Sequence, residues 1–170
     1  CGVKARIFRI SFTGELSYEV NVPTRYGRYV WEKFMEHGKK YNITPYGTEA
    51  MHVLRAEKGF IIVGQDTDGS VTPSDMNMDW IVSKKKEDFL GKRSFTRSDT
   101  VRHDRKKFVG LLVNDKKTIL PEGSHIVEKA LKQPPMKMLG HITSSYYSPT
   151  LGYPIALAML KDGFSKMGEQ

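Results

Sequence analysis

Alternating polar and apolar residues near the start of the chain predict a β-hairpin. Residues 17–22 alternate strictly, which is typical of a strand with one buried face. The apolar face would consist of Tyr18, Val20 and Val22, and the polar face of Ser17, Glu19 and Asn21. A second strand-like segment over residues 5–12 and a turn at Thr13-Gly14-Glu15 come before it. The two segments are therefore expected to pair.

A helical periodicity follows in two places. Apolar residues recur every three or four positions over residues 24–37 and 48–58, which predicts two helices. Thr24 and Thr48 are the predicted N-caps, and Gly38 and Gly59 the predicted ends. The residues expected to face inward are Tyr26, Val30, Trp31, Phe34 and Met35 in the first helix and Ala50, Val53 and Leu54 in the second. A short buried strand over residues 60–63 would complete an α+β unit.

The second half of the chain has a different texture. Residues 64–79 are rich in Gly and Asp and predict an ordered loop, and residues 84–106 form a basic connector that is poor in apolar side chains. Turn residues then separate short apolar segments. Strands are predicted at 107–113, 124–127, 138–144 and 153–160. Closely spaced short strands of this kind favour a small barrel or a sandwich.

The charge balance suggests anionic partners. The 170 residues include 27 Lys and Arg against 19 Asp and Glu, a formal net charge of +8. Nucleic acid, an acidic subunit or a small polyanion would all be attracted. The basic runs at 84–86 and 102–107 lack interleaved aromatic residues, which favours a solvated face or a docking surface over a nucleic-acid site.

Cysteine content and hydropathy limit the other classes. The one cysteine, Cys1, excludes an internal disulfide and a cysteine-based zinc site, and it permits a reducing, cytoplasmic location. No apolar run approaches the ~20 residues of a membrane helix, so no membrane span is expected. The chain begins at Cys1 and not at a methionine, and we expect it to be a piece of a longer polypeptide.

Motifs for metal binding or nucleophilic catalysis are missing from the sequence. The five histidines have no i, i+4 spacing, and the Asp66–Asp68 segment lacks the closing ligands of a calcium loop. There is no Gly-x-Ser-x-Gly and no phosphate-binding glycine loop. We therefore predict no metal site and assign no catalytic residue. Glu19 is the most informative polar residue: its pattern favours a solvent-facing strand carboxylate, and the alternative is a pocket carboxylate that accepts paired N–H donors from a pterin-like heterocycle.

Five ordered motifs resemble the folate-binding aminomethyltransferase family, which includes enzymes of glycine cleavage and of dimethylglycine and sarcosine oxidation. Their spread from residue 11 to residue 152 makes the resemblance specific. The matching segments are Ser11-Phe12-Thr13-Gly14-Glu15-Leu16-Ser17-Tyr18-Glu19-Val20, Leu54-Arg55-Ala56-Glu57-Lys58-Gly59, Gly64-Gln65-Asp66-Thr67-Asp68 with Thr72-Pro73, Asp88-Phe89-Leu90-Gly91-Lys92, and Gly140-His141-Ile142-Thr143-Ser144 with Ser148 to Gly152. Residues 47–59 are most similar to the branch found in α subunits of heterotetrameric sarcosine oxidases. Met51 stands where the glycine-cleavage enzymes usually carry an arginine, which favours the oxidase branch and removes one possible folate contact.

The resemblance implies an architecture and a site. Residues 1–83 would be the C-terminal half of the folate-binding domain, residues 84–106 a connector, 107–163 the C-terminal β-barrel and 164–170 a tail. Glu19 matches the carboxylate that holds the pterin of tetrahydrofolate, and Tyr18 and Arg55 are the further cofactor-binding candidates in the matched motifs. The family's catalytic aspartate would lie in the half that this chain does not include, so we expect the segment alone to be inactive.

The resemblance also implies a reaction and partners. In the full complex, sarcosine would be oxidised at a flavin outside this segment, and the one-carbon unit would pass to tetrahydrofolate. The products would be glycine, hydrogen peroxide and 5,10-methylenetetrahydrofolate. The partners would be the other subunits of a hetero-oligomeric oxidase, with flavins and NAD bound elsewhere, and no nucleic acid or membrane. A glycine-cleavage or dimethylglycine-oxidase type of aminomethyltransferase is the alternative, and a basic nucleic-acid-binding module is a distant one.

Overall fold

The computed structural model describes residues 2–169, which form six strands, two α-helices and several short 3-10 turns. The strands and helices are β1 (Arg6–Phe8), β2 (Glu19–Asn21), α1 (Gly27–Gly38), α2 (Thr48–Glu57), β3 (Lys106–Leu112), β4 (His125–Val127), β5 (Met138–Ser148) and β6 (Tyr153–Lys161). The chain divides into two compact units, Cys1–Phe60 and Ile61–Gln170. Both helices lie in the first unit and the larger sheet in the second, which confirms the predicted α+β class.

The predicted hairpin of the first unit is present, with shorter strands than expected. β1 and β2 pair antiparallel in the register Arg6 to Asn21, Ile7 to Val20 and Phe8 to Glu19. A ten-residue link, residues 9–18, joins the two strands. Side chains directly opposite each other in an antiparallel pair project from the same face. This register therefore decides which side chains accompany Glu19.

Both predicted helices form, but their predicted caps are wrong at the N-terminal ends. Thr24 lies inside a 3-10 turn that Tyr26 closes by donating its N–H to Pro23 O (2.8 Å), so α1 begins only at Gly27. Helix α2 takes the extended Gly47 as its N-cap, without a side-chain hydrogen bond. Its C-terminal end is as predicted: Gly59 adopts φ +69°, and Gly59 and Phe60 donate to Ala56 O and Arg55 O.

The predicted inward faces of the helices are only partly correct. Val30 is buried in α1, whereas Trp31 and Phe34 on the same side remain 56% and 48% exposed. In α2, Leu54 is exposed and the buried positions are Arg55 and Ala56. A unit of about 60 residues buries a smaller share of its surface than a larger domain does, so an apolar helix face can stay partly exposed within it.

The predicted strand over residues 60–63 is wrong. Ile62 donates its N–H to Asp66 Oδ2 (2.8 Å), and its carbonyl accepts from the N–H groups of Gln65 and Asp66 (3.2 and 2.9 Å). Val63 is 81% exposed. The Asp66 carboxylate thus closes a turn with the backbone groups that a strand would have used for pairing.

The second unit contains a four-stranded antiparallel sheet in the order β3-β6-β5-β4. The four strands predicted from the sequence are confirmed, although β5 continues to Ser148 beyond its predicted end. The core of the sheet consists of Val109, Ile142, Ala156 and Ala158. Because β-strands alternate their side chains between two faces, these small and branched residues form one apolar layer.

The buried carboxylate of Asp75 links the loop that contains Thr72 and Asp75, which we call the loop before β3, to the start of strand β3. Asp75 is 1% exposed and accepts hydrogen bonds from Arg105 Nη2 (2.6 Å), Lys107 Nζ (3.0 Å) and Thr72 Oγ1 (2.9 Å). Burial by itself raises the pKa of the Asp75 carboxyl, but the hydrogen bonds from Arg105, Thr72 and Lys107 outweigh burial and lower the pKa from 3.8 to about 2. Asp75 therefore stays ionised inside the unit.

A substitution at Gly140 tests how closely the backbones of β5 and β6 approach each other. A Cβ atom at this position would overlap the carbonyl oxygen of Met159. We expect Gly140→Ala to lower the free energy of unfolding by about 2 kcal/mol or more, because backbone must move to accept the methyl group. Gly110→Ala in β3 is the matched control, since nothing lies within 4 Å of its added Cβ. Urea denaturation of both variants measures the difference, and equal losses would contradict the close approach.

Asp75→Asn is expected to destabilise the second unit by about 3 kcal/mol, because it leaves the nearly buried Arg105 without its main counter-charge. Asp99→Asn is the control. Asp99 binds the same Arg105 at 2.9 Å, but its side chain is 65% exposed, so its removal should cost no more than about 1 kcal/mol. Thermal unfolding should give a clearly lower midpoint temperature for Asp75→Asn than for Asp99→Asn, and equal midpoints would contradict this prediction.

The same pair has a pH signature. The folded-state pKa of Asp75 is lowered, so its contribution to stability is complete above about pH 4 and is lost as the pH falls towards 2. We expect the wild-type chain to lose about 2 kcal/mol over this interval from Asp75 alone, and Asp75→Asn to lose correspondingly less. Parallel acid titration curves for the two proteins would count against this assignment.

Candidate functional site

One face of the β1–β2 hairpin places a carboxylate, an amide, an aromatic ring and a guanidinium side by side. Arg6 lies opposite Asn21 and Phe8 lies opposite Glu19, so these four side chains form what we call the hairpin face. Glu19 Oε1 accepts a hydrogen bond from Asn21 Nδ2 at 2.8 Å. The Arg6 guanidinium lies 5.9 Å from the centroid of the Phe8 ring. These contacts join the two side chains within each strand, and the register places both pairs on one side of the hairpin.

The hairpin face has the chemistry of a heterocycle-binding strip. Asn21 orients the Glu19 carboxylate, which can accept two adjacent N–H donors from a ring edge. Phe8 supplies an aromatic surface across the strand pair. In the described chain the Glu19 side chain is exposed, as the sequence pattern alone favoured. The alternation of polar residues already placed Asn21 beside Glu19, whereas Arg6 and Phe8 were not predicted, because a ten-residue link does not fix the register of a hairpin.

Tyr18 and Arg55 do not join Glu19 on this face. Tyr18 comes directly before Glu19 and is 60% exposed, and successive side chains of an extended chain point to opposite sides. Arg55 is fully buried near the end of α2, where its Nη1 donates to Phe60 O at 3.1 Å. The binding roles of these two residues stay predictions.

Two of the sequence motifs meet in the first unit. Gly14 approaches the end of α2 so closely that a Cβ atom would lie 2.5 Å from Lys58 Cγ. Glu15 forms a salt bridge with Lys58 at 3.1 Å. The Thr-Gly-Glu turn and the glycine-ended helix therefore support each other. This contact fixes one end of the link that leads into β2.

Two further motifs meet in the second unit. The buried Asp66 accepts hydrogen bonds from Thr143 Oγ1 (2.6 Å) and Ser144 Oγ (2.7 Å) of β5. Gln65 Nε2 donates to Ser144 Oγ (3.1 Å) and to Glu122 Oε1 (3.1 Å). The segment around Asp66, which the sequence analysis compared with a calcium loop, is thus hydrogen-bonded to strand β5 of the sheet. Among residues 2–169, no group of three or more His, Cys, Asp or Glu side chains is arranged to hold a metal ion.

A cavity of about 330 Å³ in the second unit is lined mainly by charged side chains. On its wall, burial lowers the pKa of His141, the nearby Lys106 lowers it further, and Asp68 partly opposes both. Asp104, on the rim, is bound by Arg102 (2.8 Å) and Lys161 (3.1 Å), and both partners lower the pKa of its carboxyl. These rim charges neutralise each other, so the cavity offers weaker chemistry than the hairpin face. No helix in the described part of the chain is long and apolar enough to cross a membrane.

The fold is that of a known class of enzyme. Over 92% of its length the chain superposes on glycine cleavage system aminomethyltransferase T from Bartonella henselae with a TM-score of 0.76 and 24% sequence identity, covering 42% of that protein. Residues 1–86 match the family model of the GCVT N-terminal domain, and residues 106–170 match that of the glycine cleavage T-protein C-terminal barrel domain. The chain belongs to the glycine cleavage T-protein family. This confirms the resemblance and the fold inferred from the motifs.

Its relatives differ in how similar they are to the chain. The sarcosine oxidase α subunit of Corynebacterium sp. (strain P-1) is 55% identical over 99% of the chain, and that of Rhizobium meliloti is 39% identical over 96%. An aminomethyltransferase of Thermoanaerobacter sp. (strain X514) is 30% identical over 99% of the chain. The chain spans only 18%, 16% and 44% of these three proteins, respectively.

The buried position of Arg55 leads to a stability prediction. Arg55→Met should lower the free energy of unfolding by about 2 kcal/mol without any ligand, because the Phe60 carbonyl loses a charged donor. Lys58→Met removes a cation that is half exposed and should cost no more than about 1 kcal/mol. Urea denaturation compares the two, and a neutral Arg55→Met would argue against a structural role for this guanidinium.

Proposed function

We propose that the chain is the folate-binding segment of a sarcosine oxidase α subunit and helps to transfer the one-carbon unit of oxidised sarcosine to tetrahydrofolate. The observation that carries the proposal is the 55% identity to the Corynebacterium α subunit over 99% of the chain, against 30% to an aminomethyltransferase over the same length. An aminomethyltransferase of the glycine-cleavage or dimethylglycine-oxidase type is the second candidate. Met51 and the lower identity favour the oxidase.

The residues of the hairpin face suit tetrahydrofolate. Glu19 presents a carboxylate whose orientation Asn21 fixes at 2.8 Å, and Phe8 lies across from it. A carboxylate of this kind complements the adjacent N–H groups of a pterin, and an aromatic ring packs on its flat surface. When bound, tetrahydrofolate supplies the nitrogens that accept the one-carbon unit. We assign Glu19 to the pterin and keep Tyr18 and Arg55 as further candidate binding residues.

The proposed complex includes other subunits, because the similar sarcosine oxidase chains are named as α subunits. Sarcosine would be oxidised at a flavin outside this segment, with NAD also bound elsewhere, to give glycine, hydrogen peroxide and 5,10-methylenetetrahydrofolate. The half-exposed Trp31 and Phe34 of α1 suit a surface that a larger assembly covers. We also propose that the enzyme is cytoplasmic. We divide the chain into the half-domain 1–83, the connector 84–106, the barrel 107–163 and the tail 164–170. The two family models, which leave residues 87–105 unmatched, support that division.

Glu19→Gln in the full-length enzyme tests the proposal. The amide has only one acceptor oxygen for the two ring N–H donors and no charge, so the affinity for 5-formyltetrahydrofolate should fall by about tenfold or more. Isothermal titration calorimetry measures it. The control is Glu32→Gln, which removes an exposed carboxylate from a helical salt bridge with Arg28 and should leave the affinity unchanged. Equal affinities for Glu19→Gln and the wild-type enzyme would remove Glu19 from the site.

The substrate is tested separately on the native complex. Oxygen consumption should be supported by sarcosine, since the proposal assigns oxidation of that amine to the complex. A complex that turns over dimethylglycine or an aminomethylated carrier protein, and not sarcosine, would favour the second candidate.

A further inference from the structure

We propose that the cavity of about 330 Å³ in the second unit binds a small zwitterionic amino acid, whose carboxylate contacts Lys106 and whose amino group contacts Asp68. This inference goes beyond the proposed function and does not rest on it, because the cavity lies in the second unit and the hairpin face in the first. It assigns a class of ligand to a part of the molecule to which the proposed function gives no role.

The register of the strands places the cavity on the face of the sheet opposite to the apolar core. Lys106 of β3 lies opposite Lys161 of β6, and His141 of β5 lies opposite Met159 of β6. Directly opposed residues share a face, and residues two apart in a strand do so as well, so all four side chains project from one face. The core residue Ala158 comes directly before Met159 and projects from the other face. The sheet itself therefore separates the cavity from the core.

Most charged groups around the cavity already have partners of opposite sign. Arg102 and Lys161 bind the Asp104 carboxylate at 2.8 and 3.1 Å. Arg105 binds the buried Asp75 at 2.6 Å. A ligand that displaced these contacts would leave a charged group without its partner, which costs more than an ordinary hydrogen bond returns. These pairs therefore form the walls of the cavity and are not the groups that bind its ligand.

Three other groups remain available to a ligand. Lys106 and His141 are half-buried, and within residues 2–169 their side chains form no hydrogen bond or ion pair. Asp68 Oδ1 accepts from the N–H and the hydroxyl of Ser70 at 2.8 and 2.6 Å, but no cation of that part of the chain lies within ion-pair distance of the Asp68 carboxylate. His141 interacts electrostatically with both Lys106 and Asp68. The three groups therefore surround the same space without contacting each other.

The balance of charge favours a ligand that is neutral overall and carries both signs. Four aspartates and four Lys or Arg side chains line the cavity. Burial and the nearby Lys106 lower the pKa of His141, so its ring is mostly neutral at pH 7. A simple anion would leave Asp68 without a partner, and a simple cation would leave Lys106 without one. An amino acid supplies a carboxylate to Lys106 and an ammonium group to Asp68, each through charge-assisted hydrogen bonds.

The size of the cavity and its apolar side chains limit the ligand to a small amino acid. Sites for small molecules typically enclose about 300–1,000 Å³, so a cavity of about 330 Å³ lies at the lower end of that range. Met138, Leu139 and Met159 provide an apolar part of its wall. A methyl group or a short alkyl chain would be removed from water there. Glycine and alanine are consequently suitable probes.

Equilibrium dialysis tests the site by counting the bound molecules of radiolabelled glycine and alanine on the full-length enzyme in its native complex. Two variants each remove one charge and disturb the fold little. Asp68→Asn keeps an Oδ1 acceptor for both bonds from Ser70, and Lys106→Met keeps an alkyl chain of similar length. Each variant should lower the affinity of the site by about tenfold or more, because one charge-assisted contact is lost.

The matched controls remove charges of the second unit that lie outside the cavity. Lys132→Met and Glu169→Gln alter exposed side chains and should leave the number of bound amino acids unchanged. Acetate and methylamine each carry only one of the two charges. They should displace the variant-sensitive label about tenfold less effectively than unlabelled glycine does.

The outcomes concern the amino-acid site alone. A wild-type complex that binds neither amino acid, or binds them as tightly after Asp68→Asn and Lys106→Met, overturns the site. Equal losses in Lys132→Met or Glu169→Gln also overturn it, since the effect would then reflect net charge. Displacement by acetate or methylamine as effective as that by glycine overturns the requirement for both charges. Each of these results leaves the proposed folate binding intact, because Glu19→Gln tests that function separately.

Discussion

The second unit depends on a carboxylate that stays charged although it is almost completely buried. Asp75 can do so because Arg105, Lys107 and Thr72 supply donors to both of its oxygens. Burying a carboxylate costs several kcal/mol unless its partners are well placed, so this arrangement determines where the loop before β3 must lie. Arg105 also donates to Ser70 O (2.6 Å) and to Asp99 Oδ2 (2.9 Å). One guanidinium thus holds three segments together, and the single charge of a lysine would not replace its geometry.

The motifs that identify the family have structural reasons for their residue types. The glycine of the Thr-Gly-Glu turn leaves room for Lys58 at the end of α2. The aspartate of the Gly64–Asp66 loop accepts from two hydroxyl groups of β5. Glu19 differs from these residues, because its carboxylate is exposed and its only protein partner in the described chain is Asn21. A polar residue in a family motif without a structural task of this kind is the best candidate for ligand binding.

Much of the fold could be predicted from the sequence, and the errors have physical causes. The strands of the second unit could be predicted because turn residues mark the ends of each strand and apolar residues alternate within it. The strand at residues 60–63 was not, because a carboxylate four residues after Ile62 captures its backbone N–H. The burial of Arg55 gives no signal in a pattern of apolar residues, since arginine is usually exposed. In the candidate site, Glu19 was found from its motif and Asn21 from the alternation within its strand, whereas the neighbours from β1, Arg6 and Phe8, depend on a register that only the structure provides.

The hairpin itself is a weak element. It contains three residue pairs, and a ten-residue link joins its strands. Two short strands alone are marginally stable in water, so the hairpin should open locally more often than the four-stranded sheet does. A molecule that touches Glu19 on β2 and Phe8 on β1 binds only when the strands are paired, and its binding free energy therefore stabilises the paired state. Amide hydrogens of this segment would then exchange more slowly when the ligand is present, and the occupied hairpin would be the most ordered form of this part of the protein.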